Sequence, residues 1–177
     1  MGINHLLCDL GSPANIGSII RTLHVLSGQT SQLYIFDPRD NLRRYAEDIE
    51  MVSTGLLSRR DFEVITDPEK FLGSYLGRKI ATEIVESAIP LIGFNFSDGD
   101  LIIYGNENRG IPEIIRNLAD HSVIVPMLGE NYLLPKTDRA VAKNFGQYPN
   151  LNVSQTVAIV SYEASRQIGS FNGFKLK

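Results

Sequence analysis

Short apolar runs alternate with amphipathic stretches along the chain, and the alternation predicts the order of its elements. Ile3 to Leu10, Leu33 to Phe36, Phe62 to Ile65, Lys79 to Val85, Asp100 to Tyr104 and Ser122 to Pro126 read as strands. The stretch opened by Ser12 and Pro13 places Ile16, Ile19, Ile20 and Leu23 on one face and Asn15, Ser18, Arg21 and Thr22 on the other, with Gly28 as its stop. Further helices are expected from Tyr45 to about Leu57, from Asp67-Pro68 to about Leu76, and from Pro112 to Leu118. The clearest follows Asn152, where Val153, Val157, Val160 and Ala164 form one apolar stripe. Asn152 is the expected N-cap there, with Gln155 as its reciprocal partner. Strands separated by helices imply a mostly parallel sheet covered on both faces, which is a three-layer α/β domain. No repeat, low-complexity stretch or linker interrupts residues 1–177, which read as one domain.

With 177 residues and 43% apolar content, the chain can build a full core. No apolar run approaches the roughly 18 residues of a membrane span. The N-terminus has no basic region followed by a long apolar run, so a cytoplasmic protein without signal peptide or membrane contact is expected. Cys8 is the only cysteine, which excludes an internal disulfide and a cysteine-based metal cluster. Seventeen basic residues against twenty acidic ones give a formal charge of −3, which does not announce a nucleic-acid binder. The basic residues are nonetheless clustered at Arg39, Arg43 and Arg44, at Arg59 and Arg60, and at Lys136, Arg139 and Lys143. Such clusters permit a phosphate-binding surface without establishing one.

Two places combine a strand end with a glycine turn. The segment Gly105 to Gly110 has the end glycines of a phosphate loop, but Ile111-Pro112 stands where Lys and Ser or Thr are required. It also lacks the Gly-x-Gly of a dinucleotide fingerprint. The second place joins Ser122 to Pro126, Met127-Leu128-Gly129 and the capped helix from Leu151. Open α/β sheets bind ligands at the carboxyl ends of their strands, so both are good positions for a small ligand.

Three segments together resemble the SpoU family of SPOUT RNA methyltransferases. They are Asn15-Ile16-Gly17-Ser18-Ile19-Ile20-Arg21-Thr22, Leu101 to Gly110, and Val125-Pro126-Met127-Leu128-Gly129 with Leu151-Asn152-Val153-Ser154. The resemblance implies a C-terminal trefoil knot, an exception to the rule that connections do not thread. It implies S-adenosyl-L-methionine bent within the knot, held by backbone at Tyr104, Gly105, Asn106, Gly110, Ile124, Pro126, Met127, Gly129, Leu151 and Val153. It further implies a homodimer acting without metal on a ribose 2′-hydroxyl of tRNA or rRNA. Arg21 matches the family's catalytic arginine. A guanidinium is a poor base, so holding a phosphate and stabilising developing alkoxide is the more physical role. Asn15 would orient the arginine or the substrate, Glu107 the neighbouring loops or the substrate, and Asn152 would serve as helix cap and ligand-side polar group. Methylation of a base nitrogen and non-catalytic RNA binding are the alternatives.

Two departures from the family pattern stand out. Asn150 occupies the place of a serine, and an insertion at about 130–149 separates the third motif's halves. Its three basic and three aromatic residues suit an RNA-holding arm, a cofactor lid or a dimer element.

Overall fold

The computed structural model describes residues 2–27, 31–127 and 151–172. Seven strands form one sheet: β1 (Asn4–Cys8), β2 (Leu33–Phe36), β3 (Glu63–Val64), β4 (Lys79–Thr82), β5 (Ile89–Pro90), β6 (Leu101–Tyr104) and β7 (His121–Ile124). Their order is β3-β2-β1-β6-β4-β7-β5, and every pairing is parallel. The helices of the described residues are α1 (Pro13–Ser27), α2 (Asn41–Arg44), α3 (Ala46–Ser53), α4 (Pro68–Ser74), α5 (Glu113–Arg116) and α6 (Val153–Gln167).

Alternation along the central strands builds the two outer layers. Leu7, Ile80, Ile102, Tyr104 and Val123 pack with Ile16, Ile19, Ile20 and Leu23 of α1, Ile49 of α3, and Val157, Val160 and Ala164 of α6. Leu6, Cys8, Ala81, Leu101 and Ile103 turn the other way, against Leu72 of α4 and Ile115 of α5. A strand buried on both faces is apolar at every position, as Leu101–Tyr104 is. At Gly17 the layers close tightly: a Cβ there would stand 2.7 Å from Val52 Cβ and 2.9 Å from the Ile49 carbonyl oxygen. Among the described residues no helix is long and apolar enough to cross a membrane.

Several boundaries differ from those expected. β1 stops at Cys8 rather than Leu10 because Asp9 turns into the left-handed region at φ 52°. β3 is shorter than Phe62 to Ile65, and β4 ends at Thr82, not Val85. β7 runs from His121 and stops before Val125-Pro126. α3 ends at Ser53, before Thr54 turns left-handed at φ 58°, short of Leu57, and α4 ends where Tyr75 becomes extended, short of Leu76. Tyr75 is held by its hydroxyl, which donates to Gly99 O at 2.9 Å and accepts from Asn4 Nδ2 at 2.6 Å. Asp67 caps α4 as expected, accepting from Lys70 N at 3.0 Å. Pro112 lies outside α5, and α2 and the two-residue edge strand β5 were not anticipated. Gly28, Gly129, Asn150 and the 130–149 insertion lie outside the described residues, so the path that the expected knot requires does too.

Candidate active site

The carboxyl ends of β1 and β6 are neighbours in the sheet, and their loops are stitched together by side chains. Ser12 Oγ accepts from Asn15 N at 3.3 Å, which fixes the first turn of α1. Asn15 Nδ2 then donates to Glu107 Oε1 at 2.6 Å, and Gly11 N donates to Glu107 Oε2 at 3.2 Å. Glu107 thus spans the two loops with both oxygens. Each of its bonds is charge-assisted and stronger than a neutral one.

Asn106, buried beside it, does similar work. Its Nδ2 donates to Asp9 O at 2.6 Å, while Oδ1 accepts from Asn108 N at 2.9 Å and Arg109 N at 3.0 Å. The turn closes through paired backbone bonds between Asn106 and Gly110 at 3.0 and 2.9 Å. Gly110 has φ 70°, and Glu83 lies over it: a Cβ there would come 2.6 Å from Glu83 Oε2. Glu83 Oε2 accepts from Ile111 N at 3.0 Å, and Glu83 N donates to Val123 O at 3.3 Å. One residue therefore ties the glycine turn after β6 to the end of β7.

Asp9 is the third junction. Its left-handed backbone costs a non-glycine residue about 1 to 2 kcal/mol. Four interactions offset this. Arg39 donates from Nε to Oδ1 at 2.6 Å and from Nη2 to the carbonyl at 2.8 Å. Asn106 also reaches that carbonyl, and Arg109 Nη1 lies 3.8 Å from Oδ2.

The third motif meets the same end of the sheet. Ser165 Oγ donates to Leu26 O at 3.4 Å, so the end of α6 lies near the end of α1 and its start near the start of α1. Asn152 caps α6, accepting from Ser154 N at 2.8 Å and Ser154 Oγ at 2.7 Å, so the partner is Ser154 rather than Gln155. Ile124, Met127, Leu151 and Val153 are half-buried and Pro126 is exposed. Tyr104 is fully buried, its hydroxyl paired with Ser161 Oγ at 3.1 Å. Burial pushes that phenol above its ordinary range, and only its backbone is left for a ligand.

The structure brings Asn15, Glu107, Asn106, Gly105 and Gly110 together, but not Arg21. Arg21 lies six residues beyond Asn15 on α1, about 9 Å along the axis. It is exposed, and no hydrogen bond or ion pair to a described residue engages its side chain. Asp9, Gly11 and Glu83 were missed by sequence reasoning. Arg39 was noticed only as one of a basic cluster. Among the described residues, no group of three or more His, Cys, Asp or Glu side chains is placed to hold a metal ion.

The chain matches the model of the SpoU rRNA Methylase family over residues 3–134. It is 24% identical over 172 residues to the tRNA (cytidine(34)-2′-O)-methyltransferase of Escherichia coli, covering 94% of each chain. It is also 24% identical over 165 residues to the 23S rRNA (guanosine-2′-O-)-methyltransferase RlmB of Acinetobacter baylyi, covering 91% of this chain and 58% of that one. The fold superposes on the A. aeolicus TrmH/SpoU tRNA modifying enzyme with a TM-score of 0.73 at 20% identity, over 93% of this chain and 74% of the other. It superposes on the SpoU methyltransferase AviRb of Streptomyces viridochromogenes, in complex with the cofactor AdoMet, with a TM-score of 0.66 at 24% identity, over 93% and 59%. A family model spanning all seven strands, and a fold shared with solved members, lead to one conclusion: this chain belongs to the SpoU rRNA Methylase family.

Proposed function

We propose that the protein transfers the methyl group of S-adenosylmethionine to a ribose 2′-hydroxyl of tRNA or rRNA. The observation that carries this reading is the Glu107 bridge, which locks Asn15 of the first motif to the glycine turn of the second at the carboxyl ends of adjacent strands. The names of the relatives support the reaction, and the AdoMet complex of AviRb supports the cofactor. The chain spans little more than half of the rRNA relative but nearly all of the tRNA relative, which favours tRNA as the first substrate to test.

The residues present fit the cofactor. The turn Gly105–Gly110 offers backbone rather than side chains, since a Cβ on Gly105 would run into Gly110 and Ile111. Half-buried Ile124, Met127, Leu151 and Val153 supply apolar surface at the same end of the sheet. These residues, with Tyr104, Asn106, Pro126 and Gly129, would hold it. When bound, the cofactor supplies a sulfonium methyl already activated for transfer.

The protein's own groups then have positional work. Glu107 holds Asn15 through Nδ2 and leaves the Asn15 carbonyl oxygen to accept from a substrate hydroxyl. Arg21, a permanent cation, holds a phosphate and stabilises the alkoxide that develops as the hydroxyl loses its proton to a phosphate oxygen or water. Asn152 has spent its side-chain oxygen on Ser154, so its part is to fix the start of α6 beside the ligand.

A homodimer accounts for Arg21's distance from Asn15. An apolar groove lined by Leu26, Leu91, Ile92, Ala158, Ile159 and Tyr162 lies at the end of α1, with Ile92 87% and Tyr162 52% exposed. Val25, 71% exposed, lies one turn beyond Arg21 on the same side of α1. A second copy seated there would set Arg21 at the subunit boundary, beside the partner's site. Residues 1–177 are then one catalytic domain with an insertion at about 130–149 in the knot region, and that insertion holds RNA or covers the cofactor.

The test is transfer of labelled methyl from S-adenosylmethionine to tRNA and rRNA, with nucleoside analysis and an Arg21→Ala control. Label on a 2′-O-methyl nucleoside, lost in the control, is expected. Label on a base nitrogen, or cofactor binding without turnover, would overturn the reading.

A further inference from the structure

Arg39 is bound to Asp9 in a way that leaves part of it unused. Its Nε and Nη2 are committed, at 2.6 and 2.8 Å, to the carboxylate and the carbonyl of one residue. The Arg39 side chain remains 38% exposed, whereas that of Asp9 is 12% exposed. The guanidinium is thus clamped along one edge while its Nη1 edge is free of described partners. A single carboxylate also serves two arginines, because Arg109 Nη1 lies 3.8 Å from Asp9 Oδ2 with 72% of its side chain exposed. With Glu107 also close by, the charges roughly balance, so what the junction leaves available is the open donor edge of Arg39 and not a surplus of charge.

The place matters as much as the open edge. A Cβ on Gly11 would stand 3.5 Å from Arg39 Nη2, 3.5 Å from Asn106 Nδ2 and 3.7 Å from Glu107 Oε2. Arg39 therefore borders the same small backbone segment that Glu107 binds, within a few ångströms of the Asn15 bridge. Simple neutralisation of Asp9 does not need the left-handed backbone at that residue, which turns its carbonyl towards Arg39 and Asn106. The strain goes into aiming an arginine fork.

We propose that Arg39, aimed by Asp9, is a phosphate-binding residue that grips the RNA backbone beside the ribose that reacts. It rests on the RNA methyltransferase reading above and adds to it a contact outside the three motifs. A planar fork with one open edge matches two phosphate oxygens, and such contacts set the register of a nucleic acid without reading its bases. Arg109, largely exposed but held to the same carboxylate, lies beside that contact as a second cation.

The test compares wild type, Arg39→Ala, Arg39→Lys and Asp9→Asn in RNA binding across a salt series, in steady-state methylation, and in S-adenosylmethionine binding. Arg39→Ala is expected to weaken RNA binding about tenfold and to flatten the slope of log affinity against log salt by about 0.7 to 0.9, the share of one phosphate. Arg39→Lys is expected to keep the salt slope but raise KM for RNA, since the charge remains and the fork does not. Asp9→Asn is expected to raise the same KM. Cofactor affinity is expected to be unchanged in all three. An Arg39→Ala protein with the wild-type salt slope, or one that loses cofactor and RNA affinity in equal proportion, would overturn the proposal alone. A wild-type protein that binds neither tRNA nor rRNA at low salt would overturn the parent reading as well.

Discussion

Lowering the pH from 7 to 5 will weaken the fold through one buried imidazole. His5 on β1 is completely buried, with Nε2 paired to Ser27 Oγ at 3.0 Å and Nδ1 without a partner among the described residues. Its ring stacks on Tyr104 at 6.1 Å. Burial, reinforced by the Arg60 guanidinium, lowers its pKa from 6.5 to about 3, so the folded protein keeps it neutral. In the unfolded chain the same group takes up a proton below about 6.5. The unfolded state therefore binds more protons between those values, and stability falls as pH falls through that window. At about 1.4 kcal/mol per unit, and allowing for partial protonation near 6.5, the step from pH 7 to pH 5 costs about 2 kcal/mol. The assay is urea unfolding at constant ionic strength at pH 7, 6 and 5, comparing wild type with His5→Gln. Contributions from other titrating groups cancel in the difference. The variant's stability should change about 2 kcal/mol less than the wild type's. Parallel pH profiles would refute the reasoning, because they would mean that His5 titrates alike in both states.

Four further outcomes are expected. Gly17→Ala should destabilise by about 1 to 3 kcal/mol in denaturant unfolding, because its Cβ meets Val52 and the Ile49 carbonyl. Glu83→Ala should raise the dissociation constant for S-adenosylmethionine several-fold in calorimetry with KM for RNA unchanged, while Glu83→Gln, which keeps an acceptor for Ile111 N, should retain most of the affinity. Ile92→Glu should give a monomer by light scattering and abolish methylation, since it places a charge in the apolar groove. Replacing residues 131–148 by a short linker should spoil RNA methylation while circular dichroism shows the fold intact, and full activity in that protein would exclude a substrate or lid role.

Features set by neighbours in the sequence were legible from it. The two-sided apolar strand at Leu101–Tyr104 implied a covered parallel sheet, and Asn152 and Asp67 were recognisable caps because a cap acts within one turn. Features set by distant partners were not. Nothing near Asp9 announces a left-handed turn, because the groups that stabilise it, Arg39 and Asn106, lie 30 and 97 residues away. The family resemblance picked out Asn15 and Glu107, yet their direct bond across 92 residues is a property of strand order. Glu83 was hidden by the expectation that β4 continues to Val85. The exposed pair Ile89–Pro90 has no alternation to reveal a strand at all. Arg21 was placed correctly on the polar side of α1, but its lack of a partner among the described residues becomes visible only with the fold in view.

The position of β1 between β2 and β6 also fixes a timetable for synthesis. Its first neighbour, Leu33–Phe36, follows soon after it on the ribosome, but the other does not exist until Leu101–Tyr104 has been made. At roughly 5 to 20 residues per second, one edge of β1 waits about 5 to 20 s for its partner. During that interval the half-built sheet offers an open ladder of amides and carbonyls to any other nascent chain. The first strand to be made stays half-paired until the sixth is finished, and the bonds from Asn15 and Gly11 to Glu107 can form only after that.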